Sequence, residues 1–323
     1  MSLRLAPGGT IVRVVQNLAV LAAFANAGCQ PAAGVAAPKR TLRVAAGTMA
    51  PLSQPLAAEY ARQLPEFDVK TIPSATDSAT AIEALQRGEF DLAIVLADAA
   101  FEAYWKAENT NTPSLIRGIS LLQPLSAYVL VRPGAGIQSV SDLNGRRVVI
   151  GPRNTSSANL ASHVLEAFEV KADVTNMTNR TSATDMLNSK SIDAVIMPGY
   201  TYPDESTAAA VRAGAYFIPI DGPAVERLRW NNPFVRTASI PRGTFPGQDH
   251  IIPTVGIDMV VLCHRDLDES LVFQLTRLLF EAYPRLADIE ASLKFLNLDE
   301  APATPVPLHA GAARFFRERE LAR

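Results

Sequence analysis

The sequence predicts an α/β protein of two lobes, each built from βαβ units and joined by two crossing strands. Two observations predict this class. First, apolar runs typical of buried strands alternate along the chain with amphipathic helical patterns. Second, the alternation is interrupted at Tyr128–Pro133 and again near Thr237–Val255, as expected if the chain leaves one lobe and later returns to it. The length of 323 residues suits two domains, and a cleft between lobes is a common ligand site.

The first lobe is predicted to begin at residue 41 and to continue to residue 130 as a βαβαβ unit. Apolar residues recur every fourth position from Leu52 to Leu64, which gives a helix one apolar face. Leu92–Leu96 is almost entirely apolar, as expected of a parallel strand covered on both faces. In chain order, strands are predicted at Thr41–Ala46, Phe67–Thr71 and Leu92–Leu96, with helices at Leu52–Leu64 and around Ile82–Leu85, the latter ended by Gly88.

The second lobe is predicted over residues 131–240, and residues 241–323 are predicted to return to the first lobe and to end in helices. A short strand here runs directly into Gly151–Ser157, a polar loop that leads into a helix. This loop lacks the GK[ST] ending of a nucleotide-binding P-loop. Strands are predicted at Arg147–Ile150, Ile192–Met197, Ala215–Ile220 and Thr254–Leu262, with helices at Leu160–Phe168, Ala208–Ala213 and Leu271–Ala282.

Residues 1–28 are typical of an export signal, and residues 29–40 are typical of a flexible tether. Two arginines and a short apolar core at Leu18–Ala25 precede the small residues of a cleavage site. Ala27-Gly28-Cys29 is similar to the end of a lipoprotein signal, so we predict that Cys29 is lipidated. The alternative is cleavage after Ala27, which leaves Cys29 as an unused thiol. Both outcomes predict a periplasmic or otherwise extracytoplasmic protein.

Composition excludes several classes of function. The formal net charge of -2 and the sequence pI of about 6.1 leave no basic field for nucleic acid or for an anionic membrane surface. Histidines, cysteines and carboxylates lack metal-ligand spacing, and neither HExxH nor CxxC occurs. No Ser/His/Asp order or cofactor-binding lysine stands out. We therefore expect a protein that is not an enzyme and that uses no metal or cofactor.

Four segments along the chain carry a resemblance to one family. Leu85–Ala100 contains L-Q-R-G-E-F-D-L-A followed by A-D-A-A, and Val140–Val148 reads V-S-D-L-N-G-R-R-V. More specific are I-P-R-G-T-F-P-G-Q-D within Ile240–Val255 and P-L-H-A-G-A-A-R-F-F at Pro307–Phe316. In these segments the chain resembles the TAXI-type solute-binding subunits of tripartite ATP-independent periplasmic (TRAP) transporters.

The resemblance implies a two-lobed periplasmic binding protein fold of type II-like topology. It implies a small carboxylate or amino acid, such as glutamate or glutamine, as the ligand, and a TRAP membrane subunit as the partner. Gly47–Leu52 reads G-T-M-A-P-L and lacks the glycine pair and the aromatics of the family's first loop. The resemblance therefore implies the class of ligand and not a particular compound. A lipid anchor at Cys29 would be the only contact with the membrane.

Ligand contacts are expected at strand ends and helix N-termini, where unpaired N–H groups and the helix dipole favour an anion. Arg153 is predicted to anchor that anion, with Thr155 and Ser156 completing the contact. Asp98 would either cap a helix or accept a ligand ammonium group. The competing interpretations are capping for the Ser and Thr residues, surface exposure for the arginine and tyrosine, and packing for the phenylalanine. The predicted contact set is Thr48, Ser74, Asp77, Ser78, Asp98, Gln123, Arg153, Thr155, Ser156, Tyr200 and Phe245.

The function predicted from the sequence is the capture of a small carboxylated solute, glutamate-like, glutamine-like or a dicarboxylate, for a TRAP-type secondary transporter. Two alternatives share every residue named above. The protein could be the binding subunit of an ABC importer, or it could present bound ligand to a signalling receptor. Fold analogy does not separate these roles.

Overall fold

Residues 39–46, 52–73, 77–199, 204–289 and 298–321 are described by the computed structural model of the protein. The strands are β1 (Arg40–Ala46), β2 (Phe67–Pro73), β3 (Leu92–Leu96), β4 (Ile116–Val131), β5 (Arg147–Ile150), β6 (Asp173–Asn176), β7 (Ala194–Gly199), β8 (Tyr216–Ile218), β9 (Val235–Ile240) and β10 (Ile252–His264). The helices are α1 (Ser53–Gln63), α2 (Ser78–Gln86), α3 (Ala97–Asn109), α4 (Ser156–Ala167), α5 (Arg180–Asn188), α6 (Glu205–Arg212), α7 (Pro223–Asn231), α8 (Glu269–Ile289) and α9 (Ala310–Leu321).

The strands form one sheet in the order β2-β1-β3-β10-β4-β7-β5-β6, with β8 paired to β4 and β9 paired to β10. β1 is parallel to β2 and β3, and β5 is parallel to β6 and β7. These two parallel groups lie on opposite sides of the long antiparallel pair β4–β10. Because helices connect the parallel strands within each group, the protein consists of two α/β lobes, which confirms the fold class predicted from the sequence.

Strands β4 and β10 cross from one lobe to the other and change partners on the way. The first half of β4 pairs with the second half of β10, which also pairs with β3 of the first lobe. From Ser126 onward, β4 pairs with β7 of the second lobe. The register of β10 against β4 shifts between Asp258 and Val260, where the strands leave one lobe for the other. This crossing lies upstream of the connection predicted at Tyr128–Pro133, because β4 is a single long strand that serves both lobes.

Strand β3 shows why a continuous apolar run is needed at the centre of the first lobe. All five residues of Leu92–Leu96 are buried. Leu92, Ile94 and Leu96 belong to the largest hydrophobic cluster, which also holds apolar residues of α1 and α8. Ala93 and Val95 belong to a second cluster together with residues of α2. Because successive side chains of a strand point to opposite faces, β3 is buried under helices on both sides.

The segment between β9 and β10 is held together by the side chain of Gln248. Its Nε2 donates hydrogen bonds to the carbonyl oxygens of Pro241 and His250, at 2.9 Å and 2.7 Å. Its Oε1 accepts one from the backbone N–H of Phe245, at 3.2 Å. This part of the motif within Ile240–Val255 therefore stabilises a loop.

The C-terminal motif is likewise structural, because it fixes α9 against the first lobe. The buried ring of His309 places Nε2 3.2 Å from the carbonyl oxygen of Arg265 and 3.1 Å from that of Leu267, and its Nδ1 accepts from the N–H of Gly311. Burial lowers the pKa of His309, as expected of a neutral ring that donates through Nε2. A side chain at Gly311 would meet the carbonyl oxygen of Glu269, so only glycine fits there.

Candidate ligand-binding site

Three helix N-termini meet in a cavity of about 380 Å³ between the lobes. Helix α3 begins at Ala97, directly after β3 ends at Leu96, and the first turn of α2 lies beside it. Helix α4 of the second lobe supplies the facing wall from its first turn and the loop before it. Ligands of α/β proteins bind at this edge, where the carboxyl ends of parallel strands run into helices and unpaired N–H groups face the cavity.

On the first-lobe side, Asp77 and Ser78 line the cavity and also order the backbone around it. The carboxylate of Asp77 caps α2 by accepting a hydrogen bond from the N–H of Thr80, at 2.8 Å. The hydroxyl of Ser78 accepts one from the N–H of Leu96, at 3.1 Å. Ser78 therefore joins the start of α2 to the end of β3, and only Asp77 serves the capping role weighed for both residues from the sequence.

On the second-lobe side, a tight turn brings the start of α4 close to β5. A Cβ at Gly151 would lie 2.6 Å from the Cβ of Ser157, so glycine permits this approach. The hydroxyl of Thr155 donates to the carbonyl of Pro152 at 2.7 Å and accepts from the N–H of Ala158 at 3.3 Å. Thr155 thus caps α4 while it lines the cavity.

Asp98 and Ser156 connect the two lobes directly. The hydroxyl of Ser156, at the start of α4, donates a hydrogen bond of 2.8 Å to the carboxylate of Asp98, in the first turn of α3. Asp98 is only 3% exposed, and this burial raises the pKa of its carboxyl, against the opposing effect of the Ser156 hydrogen bond. Among the described residues, no Lys or Arg forms an ion pair with Asp98. A buried carboxylate therefore lies in the cavity wall without a lysine or arginine partner, although the electrostatic effect of His163, in α4, also favours its charged form.

Glu102 lies one turn further along α3 and lines the same cavity. Partial burial raises the pKa of its carboxyl, and the charge of Asp98 raises it further. This residue is not among the contacts predicted from the sequence, although its spacing of four from Asp98 places both on one face of a helix. That spacing was the signal that could have found it.

The remaining residues predicted from the sequence fall into three groups. Phe245 is buried in the second lobe, with ring centroids 5.7 Å from Tyr128 and 4.5 Å from Phe217, so it packs the core away from the cavity. Arg153 is exposed and does not belong to the described cavity wall. Cys29, Thr48, Ser74, Tyr200 and the side chain of Gln123 lie outside the described residues.

A second cavity of about 500 Å³ lies beside the crossing strands. Arg236 of β9 forms ion pairs there with Asp258 of β10, at 3.3 Å, and with Glu300 of the C-terminal segment. Burial raises the pKa of Asp258 to about 6, although the charge of Arg236 opposes the rise. These residues are not predicted from the sequence, because no local pattern joins positions so far apart in the chain.

Within the part of the chain that the structure describes, no three His, Cys, Asp or Glu side chains are grouped so that they could hold a metal ion. None of the described helices combines the length and the apolar character needed to cross a membrane.

The profile of the NMT1-like family matches residues 45–319, which is most of the chain and includes both lobes and the cavity between them. The chain belongs to the NMT1-like family. The NMT1-like family is a broader group than the TAXI-type subunits that the sequence resembles. The matched residues include all four segments that carry that resemblance.

Two solved structures have a fold similar to that of this member of the NMT1-like family. XAC2383 from Xanthomonas citri, bound to ATP, aligns with a TM-score of 0.54 and 14% identity, over 86% of this chain and 99% of that chain. A putative periplasmic sulfonate-binding protein SsuA of a sulfonate ABC transporter, from Methylobacillus flagellatus KT, aligns with a TM-score of 0.51 and 13% identity, over 80% and 75%. At these identities the likeness shows the fold.

Proposed function

We propose that the protein is an extracytoplasmic solute-binding protein that encloses a small carboxylated solute between its lobes and delivers it to a membrane transporter. The observation that carries this proposal is the cavity whose wall comes from α2 and α3 of one lobe and α4 of the other. The crossing strands β4 and β10 give the lobes two points about which to close. A cavity of about 380 Å³ suits a small solute.

The carboxylate of the solute is proposed to lie at the N-termini of α2 and α4. Unpaired N–H groups and the helix dipole favour an anion at such ends. Arg153 is exposed beside this wall, and we propose it as a cation that attracts the carboxylate toward the cleft. The contact set is proposed to include Asp77, Ser78, Asp98, Thr155 and Ser156, together with Thr48, Ser74, Gln123 and Tyr200 from the sequence analysis.

The transporter is proposed to be of the TRAP type, on the strength of the motifs within Ile240–Val255 and Pro307–Phe316. The fold likeness to a sulfonate-binding protein of an ABC transporter favours a second candidate, the binding subunit of an ABC importer. Uptake of labelled solute into cells separates the two. A TRAP-type partner predicts uptake that stops when an ionophore dissipates the ion gradient while ATP is maintained, whereas uptake that continues would favour the ABC importer.

The Asn159→Trp variant tests whether the solute binds in this cavity. Asn159 is exposed and lines the cavity from the first turn of α4, so an indole there fills the cleft without disturbing the core. Glu166→Trp places the same side chain on an exposed position further along α4 and serves as the control. We expect calorimetric titration with L-glutamate and L-glutamine to show binding to the wild type and to Glu166→Trp, and at least about tenfold weaker binding to Asn159→Trp. Equal affinity for all three proteins would place the solute elsewhere.

A further inference from the structure

The described wall of the interlobe cavity carries three carboxylates and no lysine or arginine. The carboxylates belong to Asp77, Asp98 and Glu102, and the other polar groups of the wall are neutral side chains such as those of Asn154 and Ser157. A site for an anion alone would place positive side chains here, because unlike charges attract across a cavity from which water is partly excluded. The charged side chains of the described wall are instead all negative.

The three carboxylates do not have the same role. Asp77 is engaged as the cap of α2, through its hydrogen bond from Thr80. Asp98 and Glu102 lie four residues apart on α3, which makes them neighbours on one face of the helix. Neither forms an ion pair with a described lysine or arginine, and their charges repel each other. The electrostatic effect of His163, in α4, offsets this repulsion only in part, because both carboxyl groups keep raised pKa values.

Helix dipole effects explain the position of Asp98 but not that of Glu102. Asp98 occupies the first turn of α3, where the dipole favours a negative charge. Glu102 lies in the second turn, beyond the range of that effect. Both carboxyl groups nevertheless have raised pKa values, and burial is the largest cause for each. The two carboxylates therefore raise the free energy of the empty protein. A cation bound between them would offset that increase.

We propose that the solute carries a protonated amine, which binds Asp98 and Glu102 while the carboxylate of the same solute lies at the N-termini of α2 and α4. This inference rests on the proposed function and narrows its substrate class to amino-acid-like zwitterions, so that dicarboxylates without an amine are rejected. An ammonium group offers three donors, enough for both carboxylates. Rejection follows because a dicarboxylate without the amine would leave the buried Asp98 without an ion-pair partner and would bring further negative charge beside it.

Matched pairs of probes test the inference. Each of the twenty standard L-amino acids is titrated against the carboxylic acid that lacks its amine, with L-glutamate and glutarate as the leading pair. In every pair that binds, we expect the amine-bearing member to bind at least about tenfold more tightly. If glutarate binds as tightly as L-glutamate and the Asn159→Trp variant abolishes both, the inference is wrong and the proposed function stands. If no member of any pair binds, both are contradicted.

Two isosteric variants locate the amine site. Asp98→Asn keeps an oxygen that can accept the Ser156 hydrogen bond, and Glu102→Gln keeps the side-chain shape, so both remove charge alone. For an amine-bearing probe such as L-glutamate, each variant is expected to raise Kd about ten- to a hundredfold, because hydrogen bonds to charged groups are lost. Glu108→Gln removes a carboxylate from an exposed position near the end of α3 and should leave Kd unchanged. Unchanged Kd in both cavity variants would overturn the inference.

Discussion

At the scale of single residues, Asp98 places a carboxyl group in a buried position, where the charged form is disfavoured. Burial raises the pKa of its carboxyl, while the hydroxyl of Ser156, nearby backbone N–H groups and the electrostatic effect of His163 stabilise the charged form. A group that is kept at a cost to the empty fold is typical of a binding site. The same carboxylate that disfavours the empty cavity is the one proposed to hold the solute.

Asp98→Asn is therefore expected to leave the empty protein as stable as the wild type or to stabilise it by about 0.5–2 kcal/mol at pH 7.5. The amide retains the hydrogen bond from Ser156 and removes the buried charge. Calorimetric unfolding of both proteins without ligand provides the comparison. Glu108→Gln is the control and should leave the free energy of unfolding unchanged. A loss of more than about 1 kcal/mol in Asp98→Asn would show that the charge stabilises the fold and would argue against a site reserved for a ligand.

At the scale of elements, β10 carries a titrating group where it crosses between the lobes. The pKa of Asp258 is raised to about 6 from an ordinary value of 3.8, because burial disfavours its charged form more than Arg236 favours it. The folded state therefore binds this proton more tightly than the unfolded state. The resulting contribution to stability is fully present below about pH 4 and is lost as the pH rises through about 6.

Asp258→Asn tests this dependence, because the amide cannot titrate. Urea unfolding at pH 4.5 and pH 7.5 should show that the variant gains stability relative to the wild type at the higher pH, by on the order of 1–2 kcal/mol. Asp173→Asn removes a carboxylate from an exposed position at the start of β6 and serves as the control. A gain of equal size at both pH values would contradict the raised pKa.

A strand or helix is predicted well from the sequence when all of its residues lie within one lobe. β3 and β5 were predicted with their observed ends, because each is a short apolar strand buried within one lobe. β4 was missed as a continuous strand, because Pro124 interrupts its pattern and its two halves pair with different lobes. The cavity was only partly predictable: capping residues such as Asp77 and Thr155 have local signatures, whereas the contact of Asp98 with Ser156 joins residues of different lobes.

At the scale of the whole molecule, the crossing strands and the interlobe hydrogen bond together suit closure around a solute. β4 and β10 are continuous through both lobes, so the lobes can rotate about them without breaking either strand. The hydrogen bond from Ser156 to Asp98 spans the cleft and stabilises the arrangement in which the lobes lie close together. Binding energy from the solute would shift the protein toward this closed arrangement.

Small-angle X-ray scattering with and without a saturating amino acid identified by the paired titrations shows whether the two lobes close around the solute. We expect a smaller radius of gyration in the bound protein, because lobes that close around a solute bring their masses together. In Asn159→Trp the same concentration should leave the scattering curve unchanged, since the indole fills the cleft. Identical curves for free and saturated wild-type protein would contradict closure of the two lobes around the solute.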